Sequence, residues 1–91
     1  MATKCSAEVT IVNPLGLHAR PAAKLAQLCQ QFQSKIALIQ DGKSADASSV
    51  LALLMLASSK GKLLEIVAEG EDAERALQAV VQLIRSGFEE A

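Results

Sequence analysis

The sequence has no tryptophan, no tyrosine, only two cysteines and one histidine. A lone histidine and two cysteines without ligand spacing to it do not make a metal set. Two cysteines are also too few for a disulfide framework, although a single Cys5–Cys29 bridge stays open. Cys29 falls in a helical apolar pattern and reads as a small buried hydrophobe, which suits a reducing compartment. There is no excess charge of one sign: nine Lys/Arg against ten Asp/Glu leave a net charge of -1. Such a balance provides no whole-molecule field for nucleic acid or an anionic membrane. The apolar stretch at 50–57 is too short to span a bilayer, and no basic start with an apolar run marks a signal peptide. A soluble, cytoplasmic protein is expected. At 91 residues the chain buries roughly 60–65% of its unfolded surface, which excludes a large enzyme with a deep cleft and a separate cofactor domain.

What is present is a composition that folds. Hydrophobic residues make up 51% and charged residues 21%, far from the signature of disorder. One domain over 1–91 is expected, with a lead-in at 1–7 and a core from 8 to 88. The charge is uneven along the chain. Residues 1–45 carry five cations against two anions, and residues 46–91 carry four against eight, so the halves stand at +3 and -4. An anion would be more welcome in the N-terminal half, although scattered solvating charges are the simpler reading of charge alone.

The periodicities give an element order. Val9-Thr10-Ile11-Val12 is rich in β-formers and reads as a strand, and Asn13-Pro14-Leu15-Gly16 as a turn. Apolar positions 22, 25, 26, 29 and 32 recur with a helical period, which predicts a helix over 22–32. Ile36-Ala37-Leu38-Ile39 is a second strand, and Asp41-Gly42 is a hairpin signal leading to a weak third strand at 43–46. Ser48-Ser49 before the apolar run from Val50 reads as a helix start. Leu63 to Ala68 is a fourth strand. Ala73, Ala76, Leu77, Val80, Val81 and Ile84 form the stripe of a last helix, with acidic residues at its positive end, Arg85 at its negative end and Gly87 after it. The order β-α-β-β-α-β-α, with a hairpin inside it, points to an α+β two-layer fold: a small antiparallel or mixed sheet with helices on one face.

Chemistry is suggested in one place, Gly16-Leu17-His18-Ala19-Arg20-Pro21. The segment joins a turn to a helix, where leading N–H groups lack partners and carry partial positive charge, a ready anion site. Arg20 adds a permanent cation with a fork of donors suited to phosphate oxygens. Pro21 sits in the first turn, where its missing N–H costs nothing, and it biases Arg20 away from helical angles. Gly16 has no side chain, which leaves room beside the imidazole for a partner's reacting group. A positive helix end beside an arginine favours an uncharged, nucleophilic imidazole, and the same charges then stabilise a bound phosphoryl group. A surface histidine or a cap is the plainer alternative.

Gly16-Leu17-His18-Ala19-Arg20-Pro21-Ala22 resembles the active-site motif of the histidine-containing phosphocarrier (HPr) family of the bacterial phosphotransferase system. The resemblance runs from about Glu8 to Phe88 and includes Gly42-Lys43-Ser44-Ala45, Ala47-Ser48-Ser49-Val50, Gly61 and Ala68-Glu69-Gly70-Glu71-Asp72. It implies an open-faced two-layer sandwich, a four-stranded antiparallel sheet with three helices on one face. It implies that His18 carries phosphate on its δ nitrogen, that Arg20 attends the phosphate, and that Gly16, Ala19 and Pro21 position it. The implied donor is enzyme I, charged from phosphoenolpyruvate. The implied acceptor is a IIA-type protein or domain. The carrier uses no metal or cofactor, and nothing demands more than a monomer. The segment Ser49 to Gly61 and the ending Ser86-Gly87-Phe88-Glu89-Glu90 look most like the nitrogen-related (NPr) branch; the sugar-uptake branch is the alternative.

Ser49 matches a serine that a dedicated kinase modifies in some relatives, but a helix N-cap is the simpler reading. The helix at 50–56 is apolar on nearly every side, so some of Leu51, Leu54 and Met55 should be exposed as a docking patch, with Val50 and Leu53 in the core. Lys24 and Arg20 would rim that patch, which Gln27 and Gln30 make less basic than in sugar-type relatives. Two rivals have distinct readouts. A hydrolase of acyl phosphates would release inorganic phosphate without partners, and a pure regulatory binding module would be indifferent to phosphorylation of His18.

Overall fold

The structure is a computed structural model that describes residues 3–56 and 58–89. Its elements are β1 (Thr3–Thr10), α1 (Ala19–Cys29), β2 (Lys35–Gln40), β3 (Lys43–Asp46), α2 (Val50–Leu56), β4 (Leu63–Gly70) and α3 (Ala73–Arg85). The four strands form one sheet in the order β1-β4-β2-β3, with every neighbouring pair antiparallel. The open-faced α+β sandwich is thus observed, with the sheet purely antiparallel.

Alternation along the strands sends one set of side chains to the helices. Ala7 pairs with Ile66, Ile66 with Leu38 and Leu38 with Ala45, a row across all four strands on the covered face. Lys4, Glu69 and Lys35 form the corresponding row on the open face. Leu25, Ala26, Leu53, Ala76, Val80 and Ile84 close the core from the helix layer. Burial at that density pushes the Cys29 thiol up to about 12, with Asp46 adding a smaller push, so it stays protonated at neutral pH. Both cysteines are free thiols, which removes the Cys5–Cys29 bridge left open by the sequence.

Boundaries differ from expectation, most of all at β1, which ends at Thr10 and leaves Ile11 and Val12 outside it, and at both ends of α1. Strand β1 begins at Thr3, so residues 3–7 are not a lead-in but pair with β4, from Thr3 opposite Gly70 onward. Its covered face there is Cys5 and Ala7, too small and weakly apolar to announce a strand. Helix α1 starts at Ala19, so Arg20 is helical despite the following proline. Pro21 is third in the helix; the first intrahelical bond is made by the next residue, Ala22, whose N–H donates to His18 O at 2.9 Å. The helix also ends earlier, at Cys29. The N–H groups of Gln31 and Phe32 turn to the carbonyls of Leu28 and Cys29, tightening the last turn. Beyond it, the Asp72 carboxylate accepts from Gln33 N (3.0 Å), Ser34 N (3.0 Å) and Ser34 Oγ (2.6 Å). Those bonds, with the Ser34 hydroxyl first, hold the Asp72 carboxyl below the usual carboxylate range.

Candidate phosphoryl-acceptor site

The loop between β1 and α1 is held in shape before it reaches His18. Asn13 is buried, its carbonyl accepts Gly16 N–H at 3.1 Å, and its side-chain Nδ2 donates to Gly16 O at 2.7 Å. Gly16 then takes φ 66, and Leu17 N–H donates to Ser58 O at 2.9 Å. What the missing Cβ of Gly16 makes room for is this chain's own backbone. A Cβ there would fall on the Ser58 carbonyl oxygen and within 2.8 Å of Ser59 Cα. The expected opening for a partner's group is therefore absent at Gly16, which serves as the seam between the loop and the segment following α2.

His18 is the N-cap residue of α1, in an extended conformation (φ -83, ψ -172), and its side chain makes no capping bond. The ring is half-buried. The cap reading therefore holds for the backbone and not for the imidazole. Ala19 and Arg20 follow, both exposed, and Pro21 is buried. No acidic residue occupies the first turn, so no carboxylate there offsets the positive helix end. Among the described residues Arg20 has no carboxylate partner. The junction thus assembles an imidazole, unsatisfied helix N–H groups and a guanidinium, an arrangement able to compensate a dianion. Among the described residues no three His, Cys, Asp or Glu side chains gather to hold a metal ion.

Helix α2 presents much of its apolar surface outward: Leu51 is 68% exposed, Leu54 39% and Met55 75%, while Leu53 and Leu56 are buried. Val50 corrects the expectation, being 38% exposed. At 100° per residue, Leu53 and Leu56 set the inward direction and Val50 turns out beside Leu54. Because Gly16 and Leu17 lie on Ser58–Ser59, the C-terminal end of α2 adjoins the His18 loop. Leu15, 74% exposed on that loop, extends the apolar surface. Ser49 stands at the other end of α2, where its Oγ accepts Ala52 N–H at 3.2 Å as an N-cap. Just before it, Ser48 Oγ and N donate to Asp46 Oδ1 at 2.7 and 2.9 Å, and these bonds lower the Asp46 carboxyl, with the Lys35 charge helping.

Lys24 sits one turn beyond Arg20, half-buried, with Nζ donating to Phe88 O at 2.9 Å. Asn13, Ser58 and Phe88 join the surroundings of the site only in the structure. An asparagine three residues before a glycine does signal a side-chain-closed turn, and an apolar residue directly after Gly87 signals a helix stop. Ser58 has no sequence signal.

A family model described as "PTS HPr component phosphorylation site" matches residues 5–86. The chain belongs to the HPr family of phosphocarrier proteins. It is 47% identical over 89 residues to phosphocarrier protein NPr of Shewanella violacea, covering 98% of both chains. It is 52% identical over 83 residues to phosphocarrier protein NPr of Escherichia coli K12, covering 90% of this chain and 92% of that one. Among solved structures, HPr from Thermoanaerobacter tengcongensis superposes with a TM-score of 0.92 at 39% identity, covering 96% of this chain and 98% of the other. As in that family, this is a phosphocarrier, and no helix among its described residues is long and apolar enough to cross a membrane.

Proposed function

We propose that His18 is the phosphoryl acceptor of a nitrogen-related relay, loaded by an enzyme I-type donor and discharged to a IIA-type acceptor. The observation that carries this is the placement of His18 at the N-cap of α1, with Arg20 in the same first turn. In transfer, the lone pair of Nδ1 forms the new bond to phosphorus while the donor's bond to phosphorus breaks. The proton on Nε2 stays in place. The leading N–H groups of Ala19 and Arg20 and the guanidinium of Arg20 compensate the phosphoryl oxygens, and Pro21 stiffens the helix entry. The same groups stabilise the loaded and the transferring states, so the phosphate can be passed on.

Docking falls to the apolar outer side of α2, with Leu51, Leu54 and Met55, joined by Leu15 beside the acceptor. Arg20 at the rim supplies orientation. Ser49 is read as the N-cap of α2. The nitrogen-related branch is supported by the two relatives named NPr, and a reducing cytoplasm by the two free thiols.

The test is incubation with enzyme I-type donor and phosphoenolpyruvate. One acid-labile phosphate per chain is expected. His18→Ala abolishes it, and Arg20→Ala slows transfer without unfolding the protein. Label persisting in His18→Ala refutes the acceptor, and an unchanged rate in Arg20→Ala refutes its role. Nitrogen-branch and sugar-branch donors compared side by side decide the branch: faster loading by the sugar-branch donor overturns it.

A further inference from the structure

The C-terminal end of α3 carries an unusual run of backbone. Gly87 N–H donates to Ile84 O at 3.0 Å and Phe88 N–H to Leu83 O at 2.9 Å, the paired bonds of a Schellman stop with Gly87 at φ 70. The chain does not then leave the left-handed region. Phe88 has φ 59 and Glu89 φ 60, conformations that residues with a Cβ resist. Such a backbone persists only where its surroundings over-determine it. Two contacts do so here: the Phe88 side chain is fully buried, and its carbonyl accepts the Lys24 ammonium across 64 residues of sequence.

This turn lies next to the acceptor loop. A Cβ on Gly87 would stand 3.7 Å from Asn13 Cβ and 3.7 Å from Val12 Cγ2. Asn13 in turn holds Gly16 through two hydrogen bonds. The loop that delivers His18 is therefore bracketed between Ser58–Ser59 on one side and the C-terminal turn on the other. Helix α1, whose first turn completes the site, is fastened to that same turn by Lys24.

We propose that Lys24 is a positioning residue for phosphoryl transfer. Its ammonium ties α1 to the Phe88 carbonyl, and so fixes the mouth of α1 relative to the loop carrying His18. It acts through this internal bond, in place of the rim contact with acidic partners that the sequence suggested. The half-buried stem and the short bond to a main-chain carbonyl suit a strut, whereas a steering charge needs an unencumbered, fully solvated cation. The inference rests on His18 as acceptor, since a strut for the loop has a kinetic readout only if the loop does the chemistry.

The decisive variants are Lys24→Met, which keeps the aliphatic stem and removes the ammonium, and Lys24→Arg, which restores a cationic donor. Phosphoryl transfer from enzyme I-type donor is followed against carrier concentration and salt, well below each variant's Tm. Lys24→Met is expected to lower the saturating rate several-fold, because a small misplacement of the acceptor is costly to transfer. KM and salt dependence stay near wild type, and Lys24→Arg recovers most of the rate. In the unphosphorylated proteins, with no donor present, the His18 imidazole 15N resonances shift in Lys24→Met and return in Lys24→Arg. Three results overturn the proposal: a raised KM with weakened salt dependence at an unchanged saturating rate, which marks a docking cation; a lowered Tm with rate and imidazole resonances unmoved, which marks stability alone; or no change at all. Failure of His18 as acceptor is separable, because wild type itself would then load elsewhere while the imidazole resonances still report on the strut.

Discussion

Replacing Gly16 with alanine distinguishes two roles for that residue. If Gly16 keeps space open for a partner, Gly16→Ala folds like wild type and loses transfer. The structure assigns the opposite. The residue is left-handed at φ 66, and a new Cβ would fall on the Ser58 carbonyl oxygen and 2.8 Å from Ser59 Cα. Both obstacles are main chain, so no rotamer change relieves them, and the Leu17 N–H bond to Ser58 O at 2.9 Å must stretch as the segments part. A Cβ in the left-handed region costs about 1–2 kcal/mol, and forcing an atom into a packed site adds about 1–3 kcal/mol. A loss of about 2–5 kcal/mol lowers the melting midpoint of a domain this size by at least roughly 8 °C. Thermal and urea unfolding followed by circular dichroism measure it. A variant melting within a couple of degrees of wild type refutes the seam between the loop and the segment after α2.

With its thiol pushed up to about 12, Cys29 stays unreactive to a disulfide reagent at pH 8 until the protein unfolds, and two thiols titrating rapidly in the native state would contradict its burial. The Asp72 carboxyl is held below its ordinary value of 3.8 by Ser34 and Gln33, so its contribution is complete above that value and is lost as pH falls through the lower, folded-state value. Asp72→Asn should therefore lower the urea midpoint at pH 6 and flatten its fall toward pH 2.5; an equally steep acid limb would show that the carboxylate is not the linked group. Leu51→Ser and Met55→Ser, at 68% and 75% exposed positions, should change stability by no more than about 0.5 kcal/mol while slowing loading by the donor. Unchanged loading would remove α2 from the docking surface.

The segment proposed as the acceptor is readable in the sequence because it is local. A turn, a histidine, an arginine and a proline in six consecutive residues bring their own geometry, and the α1 mouth forms where those residues place it. The hydrophobic stripe of α3 is equally plain, since its period repeats within one element, whereas α2 is apolar on nearly every side and its sequence does not set its inner face: Val50, expected in the core, is 38% exposed. What could not be read depends on other parts of the chain. Strand β1 starts at Thr3 because β4 offers it a partner as far as Gly70, not because Thr3–Glu8 favours a strand. Helix α1 stops at Cys29, and the turn after it is held by Asp72, about forty residues away. Gly16 reads as permissive in the sequence, but what it accommodates is Ser58–Ser59. Lys24 looks like a surface cation in the sequence, and its contact with the Phe88 carbonyl exists only once α3 has folded back over α1.

The central claim is tested most directly by locating the phosphate. The full chain, loaded by enzyme I-type donor and phosphoenolpyruvate and labelled with 15N in its histidine, reports the modified ring nitrogen through 15N and 31P resonances at neutral to alkaline pH. A single phosphorus coupled to Nδ1 of His18 is expected. Phosphate on a hydroxyl such as Ser49, or an unperturbed His18 ring in fully loaded protein, would contradict it.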